Sequence, residues 1–144
     1  MAQLLADVEL VKNDGSKHNA SELEGKVVGL YFSAHWCPPC RQFTPVLKDF
    51  YNDLAEEGDF EIVFVSFDRS AEDLKKYLDE AHGDWFHIAY GNPKIQELAT
   101  KLQVSGIPAF IIVKPNGDVI TKEGRSEVSS KAPKQALSGW KKSL

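Results

Sequence analysis

Lys26-Val27-Val28-Gly29-Leu30-Tyr31-Phe32-Ser33-Ala34-His35-Trp36-Cys37-Pro38-Pro39-Cys40-Arg41 is the stretch on which the reading of this 144-residue chain turns. Its first seven residues are almost continuously apolar, the pattern of a strand buried on both faces. After Cys40, Phe43, Val46, Leu47, Phe50 and Leu54 recur at spacings of three and four, which predicts an amphipathic helix ending near Gly58, with a kink at Pro45. The two cysteines therefore sit where a buried strand hands over to a helix. Positions 37 and 40 in a first helical turn put two sulfurs on one face, close enough to bond. The leading sulfur meets the unsatisfied N–H groups and the positive dipole end of the helix, which favour a charged sulfur and make Cys37 the expected nucleophile. Helix geometry turns Cys40 inward, where it suits the second step of thiol-disulfide exchange, the resolution of a mixed disulfide. Pro38 and Pro39 fit a helix start, because their fixed φ pre-organises the turn and their missing N–H groups would have had no intrahelical partner.

Working outward, Val8 to Val11, the turn Asn13-Asp14-Gly15 and Lys17 to Asn19 read as an N-terminal β-hairpin extension. Ile62 to Phe67 is a second buried strand. Ser70-Ala71-Glu72-Asp73 resembles a capping box opening a helix whose core face carries Leu74, Tyr77, Leu78 and Ala81. Asn92-Pro93 starts a third helix with Ile95, Leu98, Ala99 and Leu102 inward. Ala109 to Val113, the turn Pro115 to Asp118 and Val119 to Lys122 form a hairpin, and a terminal helix over about 133–142 tucks Trp140 against the sheet. The order strand, helix, strand, helix, helix, strand, hairpin, strand, helix predicts an α/β fold with a central mixed β-sheet flanked by helices on both faces. No repeat or linker interrupts it, so residues 1–144 are expected to form a single domain.

Seventeen basic against 21 acidic residues give a net charge of −4, which offers little to a phosphate backbone, and no nucleic-acid partner is expected. No run approaches the ~18 apolar residues of a membrane span, so no membrane partner is expected either. Met1 to Val11 lacks the pattern of a secretory leader. Two cysteines three apart without an export signal suit a reducing compartment, with the cytoplasm and also the nucleus as the expected locations. Such a pair can be half of a zinc site, but no second pair exists and only His18, His35, His82 and His87 remain as soft ligands; no metal is assigned. A purely structural disulfide closing so short a loop would constrain little. Trp85 and Trp140 read as packing residues, and His82 and His87 as loop and strand positions.

Tyr31 to Arg41, with its WCPPC core, resembles the active-site segment of the tryparedoxin and nucleoredoxin branch of the thioredoxin superfamily. Val65-Ser66-Phe67-Asp68-Arg69-Ser70, Gly106-Ile107-Pro108-Ala109-Phe110, Pro115 to Gly117 and Val119 to Arg125 resemble the matching segments, so the similarity runs from about Val27 to Arg125. The resemblance implies a thioredoxin fold with Ile107-Pro108 as a cis peptide facing the cysteines. An extended substrate would pair with residue 107 like an added strand, and Trp36, Pro38 and Pro39 would supply an apolar rim. It implies a protein-disulfide reductase cycling between a Cys37/Cys40 dithiol and a disulfide. No cofactor is bound, because no dinucleotide fingerprint is present; electrons come from an external reductant, a reductase or a low-molecular-weight thiol. The expected partners are protein disulfides and that upstream thiol, with the chain a monomer. The alternative is a redox-regulated binding module that captures a signalling partner. Thioredoxins carry a buried Asp six positions before the first cysteine to help move the proton, and Tyr31 stands there instead. Asp68, Glu61 or water are left as acceptors. His35, Arg41 and Asp68 are candidates for electrostatic support, though an exposed loop His35 without a role is equally open. Phe67 and Arg69 stand where tryparedoxins show Trp and Glu, which leans the match toward nucleoredoxin-like relatives.

Overall fold

The structure is a computed structural model that describes residue 5 and residues 8–143. The segment inspected for a leader, Met1 to Val11, lies largely outside them. The strands are β1 (Glu9–Val11), β2 (Lys17–Asn19), β3 (Val27–Ser33), β4 (Phe60–Ser66), β5 (Phe86–Ile88), β6 (Ala109–Val113) and β7 (Val119–Thr121). The α-helices are α1 (Pro38–Leu54), α2 (Ala71–Ala81), α3 (Lys94–Lys101), α4 (Gly124–Ser130) and α5 (Pro133–Lys141). One mixed sheet of order β2-β1-β5-β4-β3-β6-β7 carries them.

The apolar run at the start of the deciding stretch becomes the middle of this sheet. β3 is buried at all seven positions, parallel to β4 from Val27↔Phe60 to Ser33↔Ser66 and antiparallel to β6 from Val28↔Val113 to Phe32↔Ala109. Because strand side chains alternate, each central strand feeds two cores. Tyr31, Ile62, Phe64, Phe110 and Ile112 face one side, where α1, α2, α4 and α5 bring Phe43, Leu47, Tyr77, Val128 and Trp140. Leu30, Phe32, Val63, Val65 and Ile111 face the other, covered by Leu98 and Ala99 of α3 together with Leu5 and Leu23. Helices thus lie on both faces, as the pattern implied. The N-terminal hairpin is also present, and β1 adds antiparallel to β5 to extend the sheet.

Two elements are missing from the predicted order, although the sequence reading places His87, in the first of them, as a strand position. β5 has only three residues, too few for period-two alternation to register, yet it is fully buried and parallel to β4. α4, Gly-Arg-Ser-Glu-Val-Ser-Ser, has weak helix formers and little apolar periodicity. It forms because it packs on β6: a Cβ at Gly124 would stand 2.5 Å from the Phe110 carbonyl oxygen, so only glycine admits this approach. Pro45 lies inside α1, which runs unbroken through it. Trp85 and Trp140 are core residues, 0% and 2% exposed.

Candidate active site

β3 ends at Ser33, and its carbonyl accepts from the Phe67 N–H at 2.9 Å, tying the strand end to the chain leaving β4. Four residues, Ala34 to Cys37, then turn the chain into α1. The Asp68 carboxylate accepts from the His35 backbone N–H at 2.7 Å and from the Ser66 hydroxyl at 2.7 Å, while the Asp68 N–H donates back to Ser66 Oγ. The Cys37 N–H donates to the Ala34 carbonyl at 3.2 Å, and the Cys37 carbonyl accepts from Arg41 at 3.1 Å, the first bond of the helix. The leading cysteine therefore stands at the helix mouth, where the spacing placed it.

Both cysteines are free thiols. Cys40 is fully buried, and Cys37 shows only an edge, 5% exposed. They form a small apolar cluster with Ala34, against which Phe67 and Ile107 pack. Burial foremost, and then the neighbouring Cys37, push the Cys40 thiol up to about 11. At neutral pH Cys40 is thus held as a thiol behind its partner. The Ile107–Pro108 peptide is cis, and the Cys37 thiol points at the Ile107 carbonyl oxygen, 3.8 Å away. Pro108 itself is buried and shapes the backbone, while Ile107 is partly exposed. Pro38, Pro39 and Trp36 are exposed. Trp36 is 45% exposed; its indole N–H donates to the Phe67 carbonyl at 3.0 Å, and the Arg69 guanidinium lies 4.9 Å from its ring centre.

The three candidates for electrostatic support are placed differently. The His35 ring pairs with Glu80 of α2 at 2.9 Å and lies 5.6 Å from the Tyr77 ring, so it is engaged away from the sulfurs. Arg41 is exposed. Asp68 is buried rather than solvated, and it anchors the loop before Cys37. Glu61, the other carboxylate weighed as a proton acceptor, is near the opposite end of β4 beside Val28, where it accepts from the Tyr51 hydroxyl at 2.7 Å; burial raises its carboxyl above the usual range. It serves no sulfur. Sequence reasoning missed Ser33, Thr44 and Tyr77, whose hydroxyls converge behind Cys40 with that of Tyr31. Thr44 and Tyr77 fall on the apolar faces of their helices, and a polar group on such a face was the available signal. Among the described residues no group of three His, Cys, Asp or Glu side chains is disposed to hold a metal.

A strand-to-helix CxxC beside a cis-proline edge, within this sheet order, defines a dithiol protein of thioredoxin fold. Residues 25–119 match the family model described as Thioredoxin-like, and the chain belongs to that family. It is 46% identical over 121 residues to the nucleoredoxin of Mus musculus, an alignment covering 83% of this chain and 27% of that protein. The chain thus spans about a quarter of the length of the curated nucleoredoxins it matches. Among solved structures, thioredoxin from Wuchereria bancrofti is 53% identical with a TM-score of 0.84, covering 97% of this chain and 98% of that one. Tryparedoxin II complexed with glutathionylspermidine is 35% identical with a TM-score of 0.80, covering 87% of each chain. Nucleoredoxin- and tryparedoxin-like members of this family are thiol-disulfide oxidoreductases.

Proposed function

We propose that this chain reduces protein disulfides through a Cys37/Cys40 dithiol cycle. The observation that carries this reading is the asymmetry of the pair: Cys37 presents an edge at the helix mouth, and Cys40 is sealed beneath it with its thiol held high. An extended substrate lies along the Ile107 edge over Trp36, Pro38 and Pro39. The Cys37 thiolate attacks one substrate sulfur, the second substrate sulfur leaves as a thiolate, and a mixed disulfide forms. Cys40, losing its proton, then displaces the first sulfur; the substrate leaves as a dithiol after taking up protons, and the cysteines are left as a disulfide. A thiol donor must return the electrons. A glutathione-type thiol suits the small open rim, and the similar tryparedoxin II structure holds glutathionylspermidine; a reductase protein is the other source. A monomer working in the cytoplasm, and also in the nucleus, completes the proposal, supported by a cysteine content of two.

The test is insulin reduction with a dithiol supply. Wild type turns over, Cys37→Ser does not, and Cys40→Ser accumulates mixed disulfides visible on non-reducing gels. A wild type that reduces no disulfide, with no adduct on Cys40→Ser, would overturn the reading. A partner-capturing module without turnover is less favoured, since the site retains both an attacking and a resolving sulfur.

A further inference from the structure

Behind Cys40 lies a polar cluster that the reaction as described does not use. The Ser33 hydroxyl bonds the Tyr77 hydroxyl at 2.6 Å, Tyr77 bonds Thr44 Oγ1 at 2.5 Å, and Thr44 bonds the Tyr31 hydroxyl at 2.7 Å. All four side chains are fully buried. At one end of the row the Ser33 hydroxyl favours the charged form of the Cys40 thiol. The other end returns to the same residue, since the Cys40 carbonyl lies 2.8 Å from Thr44 Oγ1 and 3.4 Å from the Tyr31 hydroxyl. A row of hydroxyls that begins and ends on one cysteine is a destabilising feature for a core unless every member is satisfied.

A donor count shows that it is satisfied in two ways. Each hydroxyl has one proton to give and can accept at least one. With Cys40 a thiol, S–H donates to Ser33, Ser33 to Tyr77, Tyr77 to Thr44, and both Thr44 and Tyr31 to the Cys40 carbonyl. With Cys40 a thiolate, both carbonyl bonds are released and all donors reverse: Tyr31 to Thr44, Thr44 to Tyr77, Tyr77 to Ser33, and Ser33 to the sulfur. Only hydroxyl hydrogens rotate between the two, and no heavy atom moves. Burial pushes the Tyr31 and Tyr77 phenols up, so both keep their protons and remain donors.

We infer that Ser33, Tyr77, Thr44 and Tyr31 form a reversible hydroxyl chain that stabilises the Cys40 thiolate during resolution, in place of a buried carboxylate. All four are positioning residues, with Ser33 the member whose hydroxyl favours the charged form of Cys40. The chain removes no proton from the site. As Cys40 attacks, the Cys40 S–H bond and the mixed disulfide break, the Cys37–Cys40 bond forms, and the proton passes to the departing thiolate or to water while the hydroxyls reverse.

This inference rests on the dithiol reading, and one experiment separates the two. The reduced protein is mixed rapidly with excess dithio-bis-nitrobenzoate and the release of the coloured thiolate is followed across pH. Attack by Cys37 gives a first phase that scales with reagent; displacement by Cys40 gives a second that does not. Tyr77→Phe and Ser33→Ala should each slow the second phase by about tenfold near neutrality and move its pH profile upward, as expected for losing a hydrogen bond to a developing charge. The first phase should stay within about twofold. A second phase with wild-type rate and pH profile in both variants, or equal slowing of both phases, overturns the chain. Should Tyr77→Phe not fold, Ser33→Ala alone decides by the same comparison of phases. A wild type with no second phase defeats the dithiol reading instead.

Discussion

Lowering pH should unfold this protein through two histidines that take no part in the chemistry. His82 and His87 are 4% and 6% exposed, and Nε2 of the first and Nδ1 of the second have no hydrogen-bond partner among the described residues. His82 is packed among Phe64, Tyr77 and Trp85, and its Nδ1 accepts from the Trp85 indole N–H at 3.1 Å. Burial, helped by the charges of His87 and Lys48, lowers His82 from 6.5 to about 3, and burial lowers His87 to about 4. Above 6.5 both histidines are neutral folded or unfolded, so they add no pH dependence. Below it the unfolded chain binds protons that the folded chain refuses, and stability falls as pH drops toward the folded values. Integrated from about pH 7 to about pH 5, each histidine costs about 2 kcal/mol, and the two about 4 kcal/mol. That is a large share of the roughly 5–15 kcal/mol that holds a typical domain together. Glu61 works in the opposite direction, because its raised carboxyl takes up a proton more readily in the folded state. The pH effect of one histidine is isolated by His87→Leu. Urea unfolding, followed by tryptophan fluorescence and circular dichroism at both pH values, should show the variant losing about 2 kcal/mol less than wild type. An equal loss in the two proteins would refute the argument.

Two further outcomes follow from the scaffold. Gly29→Ala places a Cβ 2.3 Å from two ring atoms of the fully buried Phe110; overpacking of this kind should cost about 1–3 kcal/mol in a urea titration, and an unchanged midpoint would show that the ring has room to move. Asp68→Ala removes the acceptor shared by the His35 N–H and the Ser66 hydroxyl and should cost about 1–3 kcal/mol; because His35 lies two residues before Cys37, insulin reduction should slow more than the loss of folded protein explains, and wild-type turnover per folded molecule would refute that link.

What is legible in the sequence is what periodicity and local chemistry encode. β3 and α1 announce themselves because seven buried positions and a three-four apolar spacing leave few other readings, and the cysteine spacing then decides which sulfur faces out. β5 and α4 are not legible, because three residues carry no period and a serine-rich segment becomes a helix only through its contact with β6. The site divides in the same way. Cys37, Cys40 and the Ile107–Pro108 edge follow from local order and resemblance. The orientation of His35 toward Glu80, 45 residues away, depends on how α2 crosses the active-site loop. By its place in the chain Asp68 suggests a strand-end carboxylate exposed to water, and the fold instead tucks it beneath that loop.

The absence of an acidic side chain at position 31 acquires a physical meaning in this arrangement. A carboxylate buried behind Cys40 would serve as a base, but it would also have to be desolvated and would oppose the thiolate charge once both were ionised. Tyr31 avoids that charge, and the core keeps a neutral phenol whose hydroxyl joins Thr44 while its ring packs against Phe43, Phe64 and Phe110. The consequence is that deprotonation of Cys40 must be coupled to the substrate: with its thiol up at about 11, only about one Cys40 in ten thousand is ionised at neutral pH. Resolution then becomes favourable when a mixed disulfide on Cys37 supplies both the sulfur to attack and a departing thiolate to take the proton. A buried thiol served by neutral donors therefore stays unreactive until Cys37 has engaged a substrate, which protects it from oxidation in the resting protein and confines its reactivity to the second half of the cycle.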